Sequence, residues 1–182
     1  MKAPIDHFPD HITMTRRDFL RQAAATAAGA AGLLGPAWQA RAGALPPDPF
    51  YAYAFPGLDG RQVELTQYLG KPLVLNFWAT WCPPCVKEMP DLDALHKKHP
   101  AFHVVGLAVD TAANVEKFSQ KVQVTYPLLI AGHGGIKQMR GLGNKNGGLP
   151  FTVVFDEKGR VANKILGQIK PDELDRYMAD MT

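Results

Sequence analysis

The apolar positions fall into short runs separated by turn residues. Leu73, Val74, Leu75, Asn76, Phe77, Trp78 and Ala79 form a run that is apolar save for Asn76. Its length predicts a buried strand. Residues 86–99 take helical spacing, with Pro90 inside; a proline there removes one backbone bond and predicts a kink. Residues 102–109 read as a second buried strand. Asp110 or Thr111 can cap a helix that carries Val115, Phe118 and Val122. Residues 126–130 read as the strand after it. A glycine-rich stretch, 132–144, leaves room for a short helix around 136–140. Residues 151–155 and 160–166 predict a hairpin about Asp156-Glu157-Lys158-Gly159. Pro171, Asp172 and Glu173 suit the first turn of a last helix. Nearer the start, residues 51–55 and 62–65 flank Gly57-Leu58-Asp59-Gly60, an Asp-Gly hairpin signal, and residues 66–70 make a short turn. The mixture predicts an α/β domain, with helices covering a mixed sheet. No internal repeat is present.

The first 42 residues stand apart. Thr15-Arg16-Arg17-Asp18-Phe19-Leu20 is a twin-arginine pattern, residues 23–38 are rich in Ala and Gly, and Ala40-Arg41-Ala42 is an A-x-A cleavage site. A charged start, an apolar middle and a small-residue end predict an export signal. A spanning helix needs about 20 strongly apolar residues, and this run is shorter and broken by glycine, which weighs against an uncleaved membrane anchor but leaves that alternative open. No cysteine stands near the cleavage site to carry a lipid. Met14, just before the arginine pair, is the expected translation start. The expected organisation is a cleaved twin-arginine signal over 1–42, a proline-rich linker over 43–49 and one domain over 50–182. The protein would then work in the periplasm, where thiols tend to be oxidised.

Charge excludes one class of partner. The chain has 20 Lys and Arg against 17 Asp and Glu. Five of the former and three of the latter lie in the first 42 residues, so the remainder is nearly neutral. Nothing points to nucleic acid.

The chemistry centres on Trp81-Cys82-Pro83-Pro84-Cys85, which holds the only two cysteines. They sit where a predicted strand turns into a predicted helix. A Cys-x-x-Cys beside a βαβ pattern reads as a redox dithiol. Cys82 would precede the helix, where free N–H groups and the helix dipole favour a thiolate. Cys85 would lie in the first turn as the more buried, resolving thiol. Structural zinc needs four ligands, and no second cysteine pair exists. A two-residue ring constrains little chain entropy, so a purely stabilising disulfide is a poor explanation. Pro83 and Pro84 remove two of the N–H donors nearest the Cys82 sulfur. A less stabilised thiolate means a more stable disulfide and a lower potential, which predicts a reductant.

Residues 76–85, with Glu88, Pro90 and Gly148-Leu149-Pro150-Phe151-Thr152, resemble the thioredoxin superfamily, and within it the TlpA/ResA-like thiol-disulfide oxidoreductases. The resemblance runs from about Asp48 to the C-terminus. It implies a thioredoxin fold with an N-terminal β-hairpin and a central βαβ insertion. It implies a cis bond before Pro150, facing the cysteines, and a partly buried Glu88 near the dithiol. In plain thioredoxin an aspartate at the place of Asn76 relays protons; Asn76 cannot titrate, which leaves Glu88 as the candidate relay. Trp78, Trp81, Pro83 and Leu149 would line an apolar surface for polypeptide substrates. Asn144 and Lys145 are expected in a solvated loop, and His133 without a ligand role. The expected activity is reduction of protein disulfides by a monomer without cofactor or metal. Apocytochrome c or copper-site proteins are the implied clients, and a membrane dithiol protein of the CcdA/DsbD kind the implied donor. Two other classes remain open, a thiol peroxidase of the redoxin type and a copper chaperone. The missing Pro-x-x-x-Thr before the thiol weighs against the first. The cysteine spacing weighs against the second.

Overall fold

The computed structural model describes residues 46–181. The expected export signal, Met14 and the first linker residues lie outside them. A 3-10 turn, Pro49–Ala52, leads into a hairpin of β1 (Ala54–Pro56) and β2 (Gln62–Glu64). Then follow β3 (Leu73–Trp78), α1 (Pro83–Lys98), β4 (His103–Ala108), α2 (Ala112–Ser119) and β5 (Leu128–Ile130). The chain continues with α3 (Gly135–Gly141), β6 (Phe151–Phe155), β7 (Val161–Leu166) and α4 (Pro171–Asp180).

Five strands form one sheet in the order β5-β4-β3-β6-β7. β3, β4 and β5 run parallel, and β6 and β7 are antiparallel to their neighbours. The parallel half is joined by helical crossovers and the antiparallel half by the expected hairpin. β3 is the middle strand, and all six of its residues are buried. Side chains alternate between the faces of a strand, and the packing follows that alternation. Val74 and Trp78 join Met89 and Leu92 of α1, Val115 of α2 and Leu174 of α4. Leu73, Leu75 and Phe77 join Phe50 and Tyr51 near the start and Met139 of α3. Asn76 shares the parity of Val74 and Trp78, so it faces the helix that carries the dithiol.

The hairpin, the mixed sheet and the βαβ unit β4–α2–β5 are as expected. The differences lie at element ends. Tyr51 and Ala52 belong to a 3-10 turn, not a strand, because Pro49 starts it and the Asp48 carboxylate accepts the Phe50 N–H at 2.9 Å. Leu65 likewise opens a 3-10 turn. β5 begins at Leu128, two residues late: Pro127 has no N–H to give, although its carbonyl accepts from Gly106. α2 stops at Ser119, so Val122 packs from beyond the helix. α1 starts at Pro83, earlier than the apolar spacing reveals, because proline is tolerated in a first turn.

Candidate active site

β3 delivers the chain to a tight turn. The Cys82 N–H donates to the Ala79 carbonyl at 3.2 Å, so Thr80 and Trp81 are the corner residues. Cys82 is the N-cap of α1 and keeps an extended backbone, with φ −102° and ψ 98°. Pro83 and Pro84 occupy the first two helical positions, and Cys85 the third. The two cysteines are joined as a disulfide, with Cα atoms 5.3 Å apart. Cys82 retains 5% exposure and Cys85 none. The expected order holds, although Cys82 is more enclosed than its place ahead of the helix suggests.

The register brings a second loop to the same end of the sheet. Phe151 pairs with Phe77, so Leu149 and Pro150 lie beside the end of β3 from which the cysteine turn departs. The Leu149-Pro150 bond is cis. The Pro150 carbonyl accepts the Gly167 N–H at 2.9 Å. Leu149 is half-buried and packs against the cluster that contains both cysteines. Trp81 is 67% exposed, and Pro83 and Pro84 are exposed beside it. Trp78 does not join this surface. It is fully buried on the α1 side of the sheet, with its ring 5.2 Å from that of Phe118. Strand parity turned it inward while Trp81, on the turn, points out.

Under the dithiol lies a buried polar group. Glu88, one helical turn past Cys85, has no exposed surface. Its Oε1 accepts from Asn76 Nδ2 at 2.7 Å, and its Oε2 accepts the Ile169 N–H at 2.8 Å. Asn76 Nδ2 also donates to Thr152 Oγ1 at 3.0 Å, across the β3–β6 pair. Burial pushes the Glu88 carboxyl up; the Ile169 N–H and the Asn76 amide work against the rise, and Asp91 adds to it. The carboxylate contacts no cation among the described residues, so the alternative of an exposed glutamate paired with lysine is excluded.

The sequence profile of the AhpC/TSA family matches residues 47–164. The thiol-disulfide oxidoreductase ResA of Geobacillus thermodenitrificans is 35% identical over 124 residues, covering 66% of this chain and 69% of that protein. The chain belongs to the AhpC/TSA family, as a ResA-like thiol-disulfide oxidoreductase. Two solved structures have the same fold. The MTB protein DsbF matches with a TM-score of 0.65 and 29% identity, over 76% of this chain and all of that one. A secreted Mycobacterium tuberculosis disulfide oxidoreductase homologous to E. coli DsbE matches with a TM-score of 0.62 and 25% identity, over 73% and 98%. A thioredoxin fold thus carries the Cys-x-x-Cys pair of this ResA-like chain.

Four contributors to the ResA-like site, Thr152, Ile169, Asn144 and Asp110, were not legible as such in the sequence. Thr152 and the Ile169 N–H complete the Glu88 network. Thr152 ends the motif that carries the resemblance and is the lone polar residue within the apolar run 151–155, but neither signal ties it to Glu88. Asn144, expected in a solvated loop, is instead buried, at 4% exposure. Its Nδ2 donates to the Gly148 carbonyl at 2.8 Å and folds the loop that ends in the cis proline. Lys145 beside it is exposed, and His133 lies exposed on a 3-10 turn. Asp110, expected only as a possible helix cap, is buried and binds both the Thr80 N–H, at 3.1 Å, and the Thr80 hydroxyl, at 2.5 Å. Burial opposes its charge, but hydrogen bonds led by the Thr80 hydroxyl hold its carboxyl below the usual range. Among the described residues, no three His, Cys, Asp or Glu side chains converge as a metal site would require. No helix among them is long and apolar enough to cross a membrane.

Proposed function

We propose that the chain is an exported reductase of disulfides in cell-envelope polypeptides, with Cys82 as nucleophile, Cys85 as resolving thiol and Glu88 as proton relay. The observation that carries the reading is the Cys82–Cys85 disulfide at the cap of α1, with the two nearest backbone donors replaced by proline. In the reduced protein the Cys82 thiolate attacks one sulfur of a substrate disulfide. A mixed disulfide forms, and the other substrate sulfur leaves as a thiol. Glu88 takes the Cys85 proton, and the Cys85 thiolate attacks Cys82 Sγ. The reduced substrate departs and the Cys82–Cys85 disulfide returns. Trp81, Pro83 and Leu149 form the apolar face for the substrate chain, and the backbone about Leu149-Pro150 offers it a short strand pairing.

Export through the twin-arginine signal, its cleavage after Ala42 and work in the periplasm belong to the same reading. Support comes from the signal pattern and from the similarity to a secreted Mycobacterium tuberculosis disulfide oxidoreductase. The clients we propose are apocytochrome c or copper-site proteins, recharged by a membrane dithiol donor of the CcdA/DsbD kind. A thiol peroxidase has less support, because Cys82 already has a resolving partner one turn away.

Equilibration with glutathione buffers tests the direction. A potential nearer thioredoxin's, about −270 mV, than DsbA's, about −120 mV, is expected. A value close to DsbA's would reverse the assignment. A Cys85→Ser variant expressed in the native envelope should hold clients as mixed disulfides on Cys82, and their identification tests the client class.

A further inference from the structure

Asp110 lies just beyond β4 and is 4% exposed. Its carboxylate accepts four hydrogen bonds. Oδ2 takes the Thr80 N–H at 3.1 Å and the Thr80 hydroxyl at 2.5 Å. Oδ1 takes the Thr111 N–H at 2.7 Å and the Asn114 side-chain N–H at 2.8 Å. The first pair belongs to the turn that delivers Cys82. The second belongs to the start of α2, the helix of the central insertion. Hydrogen bonds to an ionised acceptor are shorter and stronger than neutral ones.

The turn has little else to fix it. Thr80 and Trp81 are its corners, and Trp81 is mostly in solvent. One backbone bond closes it, and another, from the Val109 N–H to the Trp78 carbonyl at 2.8 Å, anchors its root. Cys85 is held inside α1, whereas Cys82 has one anchor on each side: its carbonyl accepts the Val86 N–H of α1 at 3.1 Å, and its N–H side is held by this turn.

We propose that Asp110 is a positioning residue of the dithiol: through Thr80 it holds Cys82 against Cys85, favours the closed disulfide, and ties that hold to α2 of the insertion. The inference rests on the reading of Cys82 and Cys85 as the redox pair. The reaction it bears on is the exchange of the protein dithiol with glutathione disulfide. The protein loses two electrons and closes its S–S bond. The glutathione S–S bond opens, and the two thiol protons pass to two glutathione thiols. The equilibrium constant is proportional to the effective concentration of one cysteine sulfur at the other, which falls when either is free to move. Loosening the turn leaves Cys85 in place and removes one of the two anchors of Cys82, so Cys82 gains freedom and the dithiol becomes harder to oxidise.

A second contact separates this role from simple bracing. Asp93, on α1, grips Thr125 in the same manner: Oδ1 accepts the Thr125 N–H at 2.6 Å and its hydroxyl at 2.7 Å. That contact ties α1 to the segment before β5 and touches no part of the cysteine turn.

The test uses the full chain and five variants: Thr80→Val, Thr80→Ser, Asp110→Asn, Asn114→Ala and Thr125→Val. Each is equilibrated with glutathione, and the urea midpoint of its oxidised form is measured. Thr80→Val and Asp110→Asn should lower the constant for disulfide formation roughly threefold to tenfold, where tenfold corresponds to about 30 mV. Asn114→Ala should move it less, in the same direction. Thr80→Ser restores the hydroxyl and should keep the parent's constant. Thr125→Val should lose stability with the constant unchanged. The proposal is overturned if Thr80→Val is destabilised with an unchanged constant, or if Thr125→Val shifts it equally. If Asp110→Asn does not fold, the two Thr80 variants decide. The parent's own potential tests the reductant reading separately, because a value near DsbA's leaves the differences among variants meaningful.

Discussion

Asn76 and Glu88 meet in the core, with the Asn76 amide donating to Glu88 Oε1 at 2.7 Å, and neither residue has any exposed surface. A carboxylate buried without a cation is costly to ionise. Asn76 lessens that cost without adding a charge, and its own Oδ1 has no protein partner. The proton relay proposed for Glu88 rests on this balance, a carboxyl that burial pushes up and two hydrogen bonds hold back.

The first prediction concerns pH. Burial raises the Glu88 carboxyl in the folded state, so the fold binds its proton more tightly than the unfolded chain does. The resulting stability is full below the ordinary carboxyl range and is lost as pH rises to the raised value. Urea unfolding of the oxidised protein should show the parent weakening over that window. Glu88→Gln should give a flatter profile, because the free Asn76 Oδ1 can turn to accept from the new amide. The variant should also slow disulfide exchange. A parent profile as flat as the variant's would place the titration elsewhere.

Trp81 is 67% exposed at the corner of the cysteine turn. Trp81→Ala should change stability by no more than about 0.5 kcal/mol, as for most surface substitutions. It should raise KM for a polypeptide disulfide and leave the rate with a small aromatic disulfide reagent unaltered. Equal losses with both substrates would mean that the ring acts on the thiol and not on docking.

Asn144→Ala removes the side-chain bond to the Gly148 carbonyl. Gly148 is exposed, so water can replace that donor, and the loss should cost about 0.5–1.5 kcal/mol, the net worth of an ordinary hydrogen bond. Because this bond shapes the loop that leads to Leu149 and Pro150, turnover of polypeptide disulfides should fall as well. Denaturant unfolding and steady-state kinetics check the two effects. Unchanged kinetics in a destabilised variant would confine Asn144 to structure.

Gly106 packs between two rings. A Cβ there would lie 3.1 Å from Trp78 Nε1, 3.1 Å from Tyr126 Cε2 and 2.7 Å from Leu128 Cδ2. The leucine end can turn away, but the aromatic rings are enclosed by β4 and its neighbours. Gly106→Ala should therefore destabilise the fold by about 1–3 kcal/mol, the usual cost of overpacking, measurable as a lower urea midpoint. A midpoint equal to the parent's would reveal unused space beside Trp78.

The strands of the sheet were legible because β3 and β4 are buried on both faces and read as unbroken apolar runs. The dithiol was legible from its spacing at the join of a strand and a helix; the cis proline and a Glu88 at least partly buried were legible through motif resemblance. Periodicity alone left Glu88 open, since Lys87 beside it is exposed and the charge pattern does not tell which neighbour faces inward. Trp78 and Trp81 look alike in sequence; strand parity buries one, and the turn exposes the other. Asn144 was misread because a glycine-rich loop suggests solvent, whereas positive φ at Gly143 and Gly147 folds that loop back over its own asparagine. Asp110 and Thr80 lie thirty residues apart and meet because β3 and β4 are parallel and end together.

The partners of Glu88 also set an order of events during synthesis. Asn76 precedes it by 12 residues, but Thr152 lies 76 beyond Asn76, and the Ile169 N–H lies 81 beyond Glu88. A ribosome that has released both cysteines has not yet supplied the groups that shelter the carboxylate between them and the sheet. Until β6 and the segment after β7 emerge, the nascent chain holds a complete thiol pair above an unfinished floor. The Cys-x-x-Cys motif is made early, and the groups that enclose Glu88 are among the last things the chain acquires.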